Sequence, residues 1–477
     1  MIIKYISSCA AVFLLTTLAV PSVAKASNEE AMKTPSPLLS PSYGVDSNQT
    51  LPQEMSMEDA NTTIEILNKV TLKDAVKEAI DANYRVKQAK ERVIQANYMV
   101  REALGEFLPD VTLSNTNMRK QMNGFDKQNY AQYDYSASLN YNLFSSGRDA
   151  ATLDKNKIVK NEQEEKLKGT MQEEINKMID AYCSVVFGRL SVEANTRNYE
   201  KLSKIYEIVK IKSTLGAATK GDESSIAASL ANAKTAKMNT ESAYNNAKDY
   251  YEFLINKKAE DRNPYETSFD IALEEFDPIY EKIKTNNTDL NIMRQQIEEK
   301  KKDVYIAKST SWPTVDFTAS TTRRYRNDLN NDGSSPTITD GENSDTLLQI
   351  VVSYDIYTGG KTEAKTARTM SEVSDKIYDL EYTTKETKWD SQKLFNSVQT
   401  NTNTLKSLEK EIDESRKMAY SYWERFRLSS QDLVILLQAQ RQVNTAELEQ
   451  LRSQKTRIID YFNLLTKQGK LLEYFGY

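Results

Sequence analysis

Histidine is absent from all 477 residues. That removes Ser-His-Asp and Cys-His nucleophiles, His-ligated zinc and any imidazole general base. Cysteine is nearly absent: the 2 present are Cys9 and Cys183. They cannot build a four-Cys zinc or iron–sulfur site within one chain. Turn residues are scarce, since 14 Gly and 10 Pro together make about 5% of the chain against a usual ~12%. A chain so poor in turn formers is mostly long helix. Blocks of one charge are also missing. Lys+Arg number 63 and Asp+Glu 68, interspersed, for a net charge of −5. That excludes the basic stripe of a nucleic-acid binder. Beyond the N-terminus no apolar run reaches the ~18 residues of a spanning helix.

The N-terminus carries its own signal. Lys4 supplies a positive start, residues 10–20 are apolar apart from Thr16 and Thr17, and Ala24-Lys25-Ala26 is a small-x-small cleavage site. Residues 1–26 read as a secretory signal peptide, with an uncleaved anchor as the rival. Cys9 lies inside that apolar core, too early for a lipoprotein attachment site. Cys183, on a helical pattern, reads as a small buried residue. Five of the ten prolines fall at 21–52, and residues 27–60 read as a flexible leader.

Beyond residue 70 two periodicities alternate. Residues 71–107 read as one helix, with Ala75, Ala82, Ala89, Ala96 and Ala103 every seventh position and Thr71 as its cap. Period-two patterns over about 111–121 and 132–143 predict strands, with Tyr133, Tyr135, Ala137, Leu139 and Tyr141 on one face. Helices follow over about 148–213 and 224–258, then a Pro-containing linker at 263–278. The plan then recurs: helix over 279–308, strands over about 315–326 and 346–357, helix over 361–427 and helix to about 468. The long helix keeps 4-3 spacing through Leu394, Val398, Asn401, Leu405, Leu408 and Ile412.

The recurrence is a duplication. Leu108-Pro109-Asp-Val111-Thr-Leu113 matches Trp312-Pro313-Thr-Val315-Asp-Phe317, a displacement of 204 positions (Pro109 to Pro313). Tyr141-Asn-Leu-Phe-Ser-Ser-Gly147-Arg148 matches Tyr354-Asp-Ile-Tyr-Thr-Gly-Gly360-Lys361, displaced by 213 (Gly147 to Gly360). The repeats span 70–262 and 279–470, with a tail at 471–477. Gly147 and Gly360 mark the strand-to-helix turns. Four strands in one chain cannot enclose an open channel, so a barrel built from them must be shared between chains.

Other motifs carry little chemistry. Gly216 to Gly221 lacks the Gly-Lys-[Ser/Thr] of a phosphate loop and reads as a helix-tip turn. The adjacent pairs Glu164-Glu165 and Glu173-Glu174 diverge around a helix and read as solvated faces. The stretch from Asp328 to Thr339 lacks the closing Glu of a calcium loop. Arg323, Arg324 and Arg326 read as strand-end charge, with contact to lipopolysaccharide phosphates as the other reading. No catalytic, cofactor or metal site is expected.

The signal peptide, Leu72-Lys-Asp-Ala75-Val with Ala79, Ile80 and Asn83, the Leu-Pro-Asp-Val before the first strand, the two strand exits and the duplication together resemble the TolC family of outer-membrane export ducts. The likeness covers about 70–470. It implies a mostly α chain with a membrane β-barrel part. It implies a homotrimer whose four strands per protomer form one twelve-stranded barrel, continued by a coiled-coil periplasmic tunnel. It implies outer-membrane lipid around the barrel, a periplasmic adaptor and an inner-membrane transporter as partners, and passage rather than catalysis. The helix tips would be the entrance. Gly221-x-x-Ser224 matches Ser429-x-x-Asp432, displaced by 208, with Ser224 and Asp432 as helix caps and all four as adaptor-contact candidates. Family members carry gate acids near these tips. The matching positions here are Ala227 and Leu230 in the first half and Ile435 and Gln438 in the second. That departure predicts an apolar constriction around Ile435. The alternative reading has Ile435 simply packing in the coiled coil. For the whole chain the alternative is a secreted structural coiled coil without transport, which has no need of two hairpins at matched positions.

Overall fold

The computed structural model describes residues 69–122, 128–328, 341–428 and 432–477. The signal peptide at 1–26, the leader at 27–60, Ser429 and most of the loop following Asp328 lie outside the described residues.

The first repeat runs β1 (Lys69–Val70), α1 (Leu72–Ala82), α2 (Tyr84–Gly105), β2 (Asp110–Met122), β3 (Gln128–Phe144), α3 (Arg148–Thr214) and α4 (Lys220–Ile255). The second runs β4 (Asn263–Pro264), α5 (Phe276–Asn286), α6 (Thr288–Ser309), β5 (Thr314–Asp328), β6 (Gly341–Ser353), α7 (Lys361–Arg427) and α8 (Leu433–Lys467), closed by α9 (Leu471–Phe475). The duplication holds to the residue in three pairs of helices. α1 and α5 each have 11 residues, α2 and α6 each 22, and α3 and α7 each 67.

The helix expected over 71–107 is broken. Asn83 is extended (φ −67, ψ 123) and its side chain accepts from the backbone N–H groups of Arg85 and Val86, capping α2. Asn287, 204 positions on, does the same for α6 (φ −63, ψ 125), accepting from Leu290. An asparagine inside a helix competes for nearby backbone N–H groups, and here that competition wins. Each Asn side chain also reaches a neighbour. Asn83 donates to Glu174 at 2.7 Å, and Asn287 to the Lys467 carbonyl at 3.0 Å.

The fourth strand also differs from its expected span of 346–357. β6 ends at Ser353, and Tyr354, Ile356 and Tyr357 lie outside it, well exposed. Their alternation continues, but β5 begins at Thr314, paired with Ser353, so no partner strand remains beyond that point.

α3 lies against α2, α4, α6 and α8, and α7 against α6 and α8. At 1.5 Å per residue each 67-residue helix is about 100 Å long. The first part of α3 meets α6 through Lys155–Asp303 (2.7 Å) and Lys302–Asp154 (2.9 Å). Its later part meets α4 through Asn195, which donates to Thr240 at 2.8 Å. In α7 the 4-3 positions Val398, Leu408, Ile412, Ser415, Ala419 and Phe426 are buried, as a coiled-coil seam requires.

The largest core gathers where the two repeats meet. Ile175, Met178, Tyr182 and Val186 of α3 pack on Leu72, Val76 and Ala79 of α1, Tyr251 of α4 and Ile458 and Phe462 of α8. Tyr182 is fully buried. Its hydroxyl donates to the Val70 carbonyl (2.9 Å) and accepts from the Tyr265 and Glu266 N–H groups (3.2 and 3.1 Å). It thereby holds together the ends of the short parallel β1–β4 pair. Cys183 is buried beside it, and burial pushes its thiol up to about 12.

Candidate functional site

β2, β3, β5 and β6 form one antiparallel sheet in the order β2-β3-β5-β6. Alternation puts successive side chains on opposite faces, and the registers align the four strands. One row reads Val111, Leu139, Ala319, Leu348, and β3 to β6 add Tyr141, Phe317, Ile350. Toward the hairpin ends the same face carries Tyr135 and Arg323, then Tyr133 and Tyr325. Val315 to Tyr325 is ten residues, about 33 Å at ~3.3 Å per residue and about 25 Å upright at a ~40° tilt. That matches the ~25 Å apolar band of a membrane barrel, including an aromatic girdle.

The opposite face is mostly polar, with Met118, Leu347 and Val351 among its apolar exceptions, and is bonded across strands. Ser114 and Ser136 share a 2.6 Å hydrogen bond, Asn142 donates to Asp316 at 2.8 Å, Arg324 to Asp134 at 3.2 Å and Arg326 to Gln132 at 3.1 Å. The register therefore separates the three arginines that the sequence groups together. Arg324 and Arg326 lie on the polar face and Arg323 on the apolar one. β2 and β6 each pair on one side only, so the sheet has two open edges and does not close within one chain.

At the strand exits Gly147 and Gly360 adopt φ 79 and φ 78 and stand as the N-caps of α3 and α7. That left-handed geometry suits glycine. The Ser146 hydroxyl donates to the Pro313 carbonyl at 2.5 Å, tying the first exit to the second repeat's strand entry.

At the far end, α3 closes with paired bonds, Ala217 N–H to Lys212 O (2.7 Å) and Gly216 N–H to Ser213 O (3.2 Å), around Gly216 at φ 75. The cap of α4 is Thr219, not Ser224. Thr219 and Asp222 form a reciprocal capping box, with Asp222 N–H to Thr219 Oγ1 at 3.0 Å and Thr219 N–H to Asp222 Oδ2 at 2.9 Å. The bonds from the Thr219 backbone and hydroxyl hold the Asp222 carboxyl below the usual range. Asp432 caps α8, accepting from Val434 N–H at 2.8 Å. The caps are thus displaced by 213 (Thr219 to Asp432), and the 208 match between the tips is replaced. Burial agrees: Ile226 pairs with Ala439 and Ala233 with Ala446, all buried. Ile435 and Gln438 then correspond to Asp222 and Ser225, not to Ala227 and Leu230. The sequence signal for this register is the Thr219-x-x-Asp222 capping box.

Gly221 and Ser224 are exposed in the first turns of α4, Ala227 is exposed, and Leu230 packs partly against the tip core of Ile205, Val209, Ile226, Phe426 and Leu436. On α8, Leu433, Leu436 and Leu437 are buried, while Ile435 (39% exposed) and Gln438 face out. Within one protomer Ile435 therefore has no coiled-coil seat. Lys212 at the end of α3 donates to the Phe426 carbonyl at 2.9 Å and lies 4.5 Å above the Phe426 ring, joining the ends of the two long helices. One chain thus supplies an open arc of membrane-barrel sheet and a long helical body ending in two capped tips.

That class agrees with what is known of related sequences. The sequence profile of the outer membrane efflux proteins matches residues 75–249 and 279–469, and the chain belongs to that family. No curated protein matches the sequence itself. Among solved structures the chain is similar to VceC, an outer membrane protein of Vibrio cholerae, with 14% identity over 83% of this chain and 96% of that one and a TM-score of 0.69. It is similar to the CmeC outer membrane channel of Campylobacter jejuni, with 15% identity, 84% and 86% coverage and a TM-score of 0.71. It also resembles the open state of the MtrE outer membrane channel of Neisseria gonorrhoeae, with 14% identity, 84% and 89% coverage and a TM-score of 0.67. At such identities the likeness is one of fold.

Proposed function

We propose that three copies of this chain form the exit duct of a tripartite efflux pump or type I secretion system. The duct joins a periplasmic adaptor and an inner-membrane transporter to the cell exterior. The observation that carries this reading is the open four-stranded sheet with one apolar face, one polar face and two unpaired edges. In lipid every backbone N–H and C=O must be bonded, and only closure removes the edges. Pairing β2 of one copy with β6 of the next closes the sheet, turns the apolar face to lipid and the polar face to a lumen. Exposed apolar side chains on two helices support the same assembly: Ile94, Tyr98 and Met99 on α2, and Ile377, Tyr378, Tyr382 and Trp389 on α7. Each helix has one side that no other described part of the chain covers.

The duct is passive, and its periplasmic entrance lies at the tips. Ile435, exposed at the first turn of α8, narrows that entrance, with Gln438 one turn further on. Single-channel recording in planar bilayers tests both statements. The parent protein is expected to form discrete channels, and Ile435→Gly to raise their conductance. Unchanged conductance removes Ile435 from the constriction; failure to form channels at all overturns the duct.

A further inference from the structure

We infer that Arg323 on the lipid-facing side of the sheet binds the phosphate of an anionic lipid headgroup in the outer leaflet. This rests on the outer-membrane reading above. Arg323 shares its face with Ala319 and Phe317, two and three register steps toward the helices. It lies eight residues from Val315, about 26 Å along the strand and about 20 Å upright. On β5 the aliphatic run ends at Ala319, and Tyr135, Tyr133 and Tyr325 continue the face as its aromatic girdle, so Arg323 stands within that girdle near the upper edge of the band, where a cation on the lipid face costs only ~0–1 kcal/mol.

The surroundings form a receptor rather than a bare charge. Tyr133, Tyr135, Arg323 and Tyr325 line a shallow groove of ≈ 640 Å³. The Tyr135 and Tyr325 rings meet edge-on with centroids 6.1 Å apart, giving the groove a firm aromatic wall. The Arg323 side chain is 66% exposed, and among the described residues its one ion pair is a loose 3.9 Å contact with Glu342. Glu342 is itself exposed and accepts a hydrogen bond from the Tyr325 hydroxyl at 3.1 Å. The guanidinium therefore keeps donors free for a phosphate, which it can grip with two parallel N–H bonds. Arg324 and Arg326 differ, since they lie on the other face, where each donates one hydrogen bond across strands, to Asp134 and Gln132. Arg119 shares the outward face one register step beyond Tyr133, paired with Ala131, and adds a second positive charge at headgroup height.

The test is native mass spectrometry of the purified full chain in a neutral detergent, titrated with phosphatidylglycerol, phosphatidylcholine or inorganic phosphate. The parent is expected to retain phosphatidylglycerol over phosphatidylcholine and to show no displacement by millimolar inorganic phosphate. Arg323→Gln is expected to lower retention about tenfold, the scale of one charge-assisted hydrogen bond. Arg323→Lys, which keeps the charge but loses the planar fork, is expected to fall between. Arg324→Gln is expected to retain lipid like the parent. Heat-modifiable electrophoresis reports assembly of each variant. If Arg323→Gln does not assemble, Arg323→Lys carries the test. Parent-like retention in an assembled Arg323 variant overturns the inference, as does displacement by inorganic phosphate. Failure of the parent to enter any bilayer overturns the outer-membrane reading instead.

Discussion

Asp460 of α8 shows how a single carboxyl records its place in the body. Burial raises its pKa above the usual carboxylate value, and neither the hydrogen bond from Ser397 nor the charge of Lys393 offsets that. A raised carboxyl binds its proton more tightly in the folded chain than in the unfolded one. Its stabilising contribution is fully present below the unfolded value of 3.8 and is lost as pH rises through the folded value. Asp460→Asn, which can still accept from Ser397, is therefore expected to raise the thermal midpoint at pH 7. The gain should vanish below about pH 4. Thermal unfolding at the two pH values checks it; an equal gain at both removes the carboxyl's charge as the cause. Glu78 has the opposite sign. Burial raises it, but hydrogen bonds from Lys257 and Arg262 outweigh that and leave it lowered.

Among the elements, the breaks at Asn83 and Asn287 matter most for how each repeat is built. Each separates a short buried helix, α1 on the largest core and α5 against Leu464 of α8 in a smaller one, from a longer helix that leads to the strands. Replacing an Asn cap by Ala typically costs ~1 kcal/mol, and Asn83 also satisfies Glu174, which is buried. Asn83→Ala is expected to lower stability by about 1–2 kcal/mol in urea titration. Asn83→Ser, which restores the cap, should recover part of that. If residues 71–107 were instead one continuous helix, alanine would be the better helix former and the same substitution would stabilise.

For the whole molecule, the decisive feature is that neither the sheet nor the helix faces are complete in one chain. Four strands leave two edges, and a free edge is not tolerated in lipid. Unheated electrophoresis is expected to show a slow species near three times the 54.4 kDa chain, collapsing to the single chain on boiling. A protein that migrates as one chain before heating would contradict the shared barrel. The hairpins point away from the helices, and the capped tips point the other way.

The sequence by itself determined the plan of the chain. Helix and strand periods, the scarcity of glycine and proline, and matched turns at Gly147 and Gly360 depend on neighbours a few residues apart, and such local preferences are legible in one dimension. It also carried the duplication, because the same local instructions occur twice. Only the tertiary structure decided the rest. Whether Asn83 interrupts a helix or continues it is a choice between near-equal local options, and the folded chain supplies a partner for its side-chain amide in Glu174. Where β6 ends depends on where β5 begins. Which arginine lies on the apolar face depends on a register set by three strand pairings at once. The tip register of 213 rather than 208 depends on which side chain reaches a backbone N–H. Each of these is a contact between residues distant in sequence or a choice between near-equal local options, and only the folded chain brings the deciding partner within reach.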